Sequence, residues 1–166
     1  MYLNLQDFLD DWQSESKLTL RLFDKINEGE KSIKLNDKVR SLERMAWHIT
    51  QTLTEMPFRA GIFESDILEN KPIPSSIREL SDMYSKYSDQ LMALLKEKWI
   101  DADLNEAIEV YGERWERGKI LSILVKHQIH HRGQMTAIMR MLDMEVPGLY
   151  GPSREEWSQF GMSPQE

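Results

Sequence analysis

An all-α four-helix bundle is the fold class this sequence predicts, on three observations. Four long segments carry apolar residues at three- and four-residue spacing; chain breakers such as Gly29, Pro57, Pro74 and Pro147-Gly148 fall between or after them; and no convincing strand alternation competes. The expected architecture has a long connection between its second and third helices and a short C-terminal helix. That connection makes a topology other than simple up-and-down a further expectation.

The first helix opens at Asn4, a plausible N-cap, and places Leu5, Phe8, Leu9, Trp12, Thr19, Leu22, Phe23 and Ile26 along one stripe before Asn27-Glu28-Gly29. Glu15 and Ser16 notch that stripe. A carboxylate near a helix boundary ordinarily faces water, and the alternative for Glu15 is an interior base or hydrogen-bond partner. A second helix is expected after the capping candidates Asn36-Asp37, with Leu42, Met45, Ile49, Leu53 and Met56 on one face, stopping at Pro57. From Phe58 to Ile73 the connection holds Phe63, Ile67 and Leu68, which argues that it packs against the bundle. Ser75-Ser76 then starts a third helix through Ile77, Leu80, Tyr84, Tyr87, Leu91 and Leu94 to about Lys98.

Residues 99–116 fit either a short extended element with a turn at Tyr111-Gly112 or a ragged helical turn. The fourth helix is expected from about Arg117 to Leu142, with Ile120, Leu124, Ile138 and Leu142 toward the core. Past Val146-Pro147-Gly148, Ser153 and Glu156 read as a capping box opening a short final helix ahead of Trp157 and Phe160.

The chain has 166 residues, the length of one ordinary domain, so a single domain over 1–166 is expected. It contains no cysteine, which removes disulfides, thiolate metal sites and cysteine nucleophiles, and leaves His, carboxylate and hydroxyl chemistry. The charge of −7, from 21 basic and 28 acidic residues, opposes the counterion exchange on which nucleic-acid binding depends. No stretch is long and apolar enough to span a bilayer, and Met1-Tyr2-Leu3-Asn4 lacks the start of a signal peptide, so cytoplasmic location without membrane attachment is expected.

Chemistry concentrates in His127-Gln128-Ile129-His130-His131-Arg132-Gly133-Gln134. Residues i and i+4 lie about 40° apart on a helix, so His127 and His131 converge, at metal-ligand spacing. Both point with the core stripe, and His130 stands about 100° away at its edge. Two imidazoles stacked on a core stripe as plain packing would each lose about 1–3 kcal/mol if unpaired, which favours metal binding. Gln134, one turn on, could orient a ligand or a bound water. By periodicity His48 borders the core of the second helix, and this leaves both a ligand and an interhelical hydrogen-bonding role open. Arg132 points away from the stripe, which reads as a surface ion pair, with contact to a substrate anion as the alternative. Gly133 suggests close approach of another chain segment, or a tolerated helix glycine.

Ala46-Trp47-His48-Ile49, His127-x-x-x-His131-Arg132-Gly133-Gln134 and the tail Val146-Pro147-Gly148-Leu149-Tyr150-Gly151-Pro152 together resemble the DinB/YfiT-like family, whose members are read as metalloenzymes. The resemblance spans nearly the whole chain. It implies a four-helix bundle, commonly a homodimer, with one divalent metal on positions that fall here on His48, His127 and His131. It also implies, for some relatives, transfer of a low-molecular-weight thiol co-substrate, and for one branch a thiol-dependent isomerisation.

The leading expectation is therefore a metal-dependent enzyme acting on a small-molecule substrate. Zinc or nickel on His48, His127 and His131 would activate a thiol or water for S-transfer or hydrolysis, with Gln134, Glu15 and His130 as candidate supporting residues. A non-enzymatic or stress-related bundle with a structural or sensed ion is the alternative, and a metal-free helical interaction domain is the third.

Overall fold

The computed structural model describes residues 2–164; Met1, Gln165 and Glu166 lie outside them. Four helices dominate: α1 (Leu5–Phe23), α2 (Leu42–Arg59), α3 (Ile77–Lys98) and α4 (Arg117–Met141). Their starts follow local chemistry. Asn4 accepts a hydrogen bond from the Asp7 amide at 2.8 Å, and Ser76 accepts one from the Glu79 amide at 3.1 Å, each satisfying a donor that a helix start leaves unpaired.

Helix α2 begins later than its sequence suggests. Ser41 is the N-cap, accepting from the Arg44 amide at 3.4 Å, whereas Asn36 receives the Lys38 amide at 2.9 Å in a turn of the preceding loop. Pro57 does not stop this helix. It lies in the last turn, which closes through Ala60 N donating to Met56 O at 3.0 Å.

The principal helix pairs are α2 with α4 and α3, and α1 with α4 and α3. Helices α1 and α2 therefore stand diagonally, as do α3 and α4, which bears out a topology other than simple up-and-down. The connection after α2 packs as expected, burying Ile62, Phe63 and Leu68. Residues 99–116 resolve into a 3₁₀ turn (Asp101–Asn105) and an antiparallel hairpin, β1 (Ala107–Val110) and β2 (Glu113–Glu116), with Ala107 opposite Glu116 and Val110 opposite Glu113. Tyr111 and Gly112, at φ 54° and 77°, form its two-residue turn, so the extended reading is the realised one.

The expected C-terminal helix shrinks to a four-residue 3₁₀ turn, Trp157–Phe160. Half of the capping box forms, with Ser153 N donating to Glu156 Oε2 at 3.2 Å, but the other carboxylate oxygen receives Gly148 N at 2.9 Å and ties the turn back to the preceding loop. Phe160 remains exposed.

Helix α4 carries two stripes. Ile120, Leu124, His127, His131 and Ile138 form one; Leu121, Val125, Gln128, Arg132, Met135 and Met139, spaced four and three residues apart, form a second in which every residue is at most 7% exposed. A helix facing α1 on one side and α2 on the other needs both. Gln128 is fully satisfied: its Oε1 accepts from Tyr84 Oη at 3.1 Å, and its Nε2 donates to Ile49 O at 3.1 Å and Thr52 Oγ1 at 3.3 Å. The close-approach glycine on this helix is Gly118, where an added Cβ would meet Leu104 O at 3.2 Å; Gly133 is exposed with open space around it, the tolerated case.

Candidate metal centre

Packing of α2 against α4 brings three imidazoles together. The ring centroids of His48 lie 5.0 Å from His127 and 4.7 Å from His131, and those of His127 and His131 are 4.4 Å apart. One nitrogen from each ring can be chosen so that all three lie within 4.8 Å of one another. Nε2 of His127 and Nε2 of His131 are 3.1 Å apart.

His131 is held from its far side by Gln134, whose Oε1 is 2.8 Å from its Nδ1. With Gln134 presenting its oxygen, which can only accept, the His131 proton belongs on Nδ1 and the Nε2 lone pair faces the cluster. Gln134, expected one turn beyond His131, thus contacts that ring directly. His127 Nδ1 is buried with no hydrogen-bond partner among the described residues, so that ring is set by packing and by its Nε2 contact with His131.

Burial is the main cause that pushes the His48 and His127 imidazoles down to about 4; repulsion from His131 and from Arg40 adds to both, with Arg44 reinforcing it at His48 and His48 and His130 at His127. His131 is also lowered, chiefly by burial, although its bond to Gln134 opposes the shift. All three are neutral at pH 7. The set consists of uncharged nitrogen donors, one from each ring, within 4.8 Å of one another, and its chemistry fits a divalent transition-metal ion.

The same shifts give a pH dependence. An unfolded imidazole protonates near 6.5, whereas folded His48 and His127 stay neutral until about 4 and His131 is shifted in the same direction, so the unfolded chain binds more protons as pH falls through that window and the metal-free fold weakens. Urea midpoints measured with chelator at pH 7.5 and pH 5 should fall more for the wild type than for the His48→Leu, His127→Leu, His131→Leu triple variant. Equal falls would contradict the assignment.

His130 is exposed, with its ring 4.9 Å from that of His131, and it stays outside the converging group. Glu15 reaches inward but does not meet the histidines. Its carboxylate pairs with Arg132, which is 1% exposed and also donates to Glu15 O at 2.9 Å and Thr19 Oγ1 at 2.8 Å. Tyr150 Oη, itself touching Arg132, donates to the same carboxylate at 2.6 Å. The expectation of a surface Arg132 is corrected: the second stripe of α4 turns it toward α1, where the notch at Glu15 and Thr19 receives it. The available signal was the heptad spacing of Leu121, Val125, Met135 and Met139 around it.

Gln134→Ala removes the contact that fixes the His131 ring. Metal affinity should drop about 10- to 100-fold in competition against a chromophoric chelator, with folding unchanged because Gln134 is exposed.

A four-helix bundle with three imidazoles meeting between its second and fourth helices defines a protein class with a candidate metal centre. The chain belongs to the DinB family, whose model matches residues 1–166. It is 33% identical over 162 residues to the Bacillus subtilis protein YrdA, described as uncharacterized, covering 98% of this chain and 97% of that protein. A DinB-like protein from Bacillus cereus ATCC 10987, solved by crystallography, superposes with a TM-score of 0.80 at 30% identity, covering 90% of this chain and all (100%) of the other. A second crystal structure, the DinB-like protein YjoA of Bacillus subtilis, shares the fold at TM-score 0.69 and 20% identity, covering 87% and 99%.

Proposed function

We propose that this chain is a divalent-metal-dependent enzyme in which His48, His127 and His131 hold one ion and a thiol or water is activated for S-transfer or hydrolysis. The observation that carries the reading is the meeting of three neutral imidazoles from two helices. A bound zinc or nickel would supply positive charge that lowers the proton affinity of a thiol or water at its open position.

The chain's own residues do the rest. Neutral rings, kept so by burial, would leave the ion its full charge, and Gln134 fixes the His131 ring. The alternative, a structural or sensed ion, calls for a fourth protein ligand and no adjoining cavity. Among the described residues the converging group contains three ligands, and His131 borders an open cleft, which favours catalysis.

The test is a screen of metal-loaded protein with small thiols and activated halo-arenes, following loss of free thiol. Acceleration that chelator removes and that His131→Ala lacks is the expected result. Thiol consumption at the buffer rate, or a rate indifferent to chelator, would overturn the S-transfer reading, and the same outcome with activated esters in place of thiol and halo-arene would overturn hydrolysis.

A further inference from the structure

Beside His131, the one member of the histidine group that lines it, lies a cleft of about 520 Å³, within the range of small-molecule sites. Leu35 and Val39 supply apolar wall from the loop before α2, Ala137, Ile138 and Met141 supply it from α4, and Met45 adds the contribution of α2. The polar lining is selective. It consists of His131, Gln134, Lys38 and Arg40, with no carboxylate, on a chain whose net charge is −7. By contrast, the apolar groove along α3, lined by Ile73, Met83 and Tyr87, mixes Lys71 and Lys86 with Glu79 and Asp82.

Neither cation at the cleft is committed elsewhere. Among the described residues, no carboxylate lies within ion-pair distance of Lys38 or Arg40, although seven other ion pairs form across the chain. The Gln134 amide is equally available: its oxygen faces His131, and its two N–H donors make no hydrogen bond to the described residues. Apolar walls that end in an unpaired guanidinium and a free amide match a molecule with a hydrocarbon body and one planar anionic end.

We propose that this cleft is the substrate subsite of the three-histidine centre and that it selects small amphipathic carboxylates, with the chain on the apolar walls and the carboxylate at Arg40 and the Gln134 amide. This inference rests on the metal-dependent reading above. It adds a substrate class and a specificity residue, Arg40, that the histidine cluster alone does not define.

The test uses the full chain, metal-loaded, with methionine methyl groups labelled for NMR and octanoate and octanol as matched probes. Octanoate should shift Met45 and Met141 and leave Met83, in the other groove, unmoved. Arg40→Gln, an exposed position whose change spares the core, should weaken octanoate about tenfold and leave octanol unchanged. Octanol binding as tightly as octanoate, an Arg40→Gln variant that binds octanoate normally, or shifts at Met83 alone would each overturn the proposal. Elemental analysis of the same samples separates the two readings. Octanoate bound at Met45 and Met141 on a chain that takes up no metal sinks the metal reading and keeps the cleft; metal bound with no octanoate shift does the reverse.

Discussion

Replacing Arg132 with Met should cost about 3–5 kcal/mol of folding stability, because it leaves the Glu15 carboxylate, whose side chain is 12% exposed, without its partner inside the bundle. For a chain of this length that corresponds to a fall in Tm of about 6–20 °C. The loss should not be additive. Glu15→Leu combined with Arg132→Met removes both charges and replaces them with apolar volume, and such exchanges are commonly neutral or stabilising. Urea unfolding of both singles and the double gives the coupling directly; additive losses would show that Arg132 and Glu15 are not energetically coupled. The network also ties the C-terminal tail to α1 and α4, assisted by Arg21 donating to Gly148 O at 3.0 Å. Limited proteolysis should therefore cut the tail faster in Arg132→Met than in the wild type.

The second large effect concerns the histidines. Removing His127 and His131 together takes away the pair at 3.1 Å and leaves His48 as a lone ring, so metal uptake should fall from about one ion per chain to background. Saturating metal at 100 times its Kd stabilises a fold by about 2.7 kcal/mol, and the double Ala variant should show none of that gain. His130→Ala is the matched control, since that ring is exposed and outside the converging group. It should retain full uptake. Undiminished metal in the double variant would remove the site.

Much of this was legible in the chain because it depends on local chemistry. Asn4 and Ser76 cap helices by their own side chains, and His127 and His131 converge by helical geometry alone. What failed to show depends on partners far along the chain. Arg132 and Glu15 are 117 residues apart, and a periodicity reading that weights charge against burial sends both to the surface. His48 borders its own stripe, and only the packing of α2 on α4 turns that border inward. Ser41 and Asn36 are equally good caps in isolation; the selection of Ser41 is made where the loop packs, with Glu43 N donating to Lys31 O at 3.0 Å. The final helix shortens because Glu156 is shared between Ser153 and Gly148.

X-ray absorption at the metal edge of the loaded protein addresses the central claim most directly. Imidazole scattering from three ligands at about 2.0–2.1 Å, with a further light-atom donor that exchanges when thiol is added, is the predicted result. A spectrum without imidazole scattering, or a sphere closed by four protein ligands and indifferent to thiol, would contradict it.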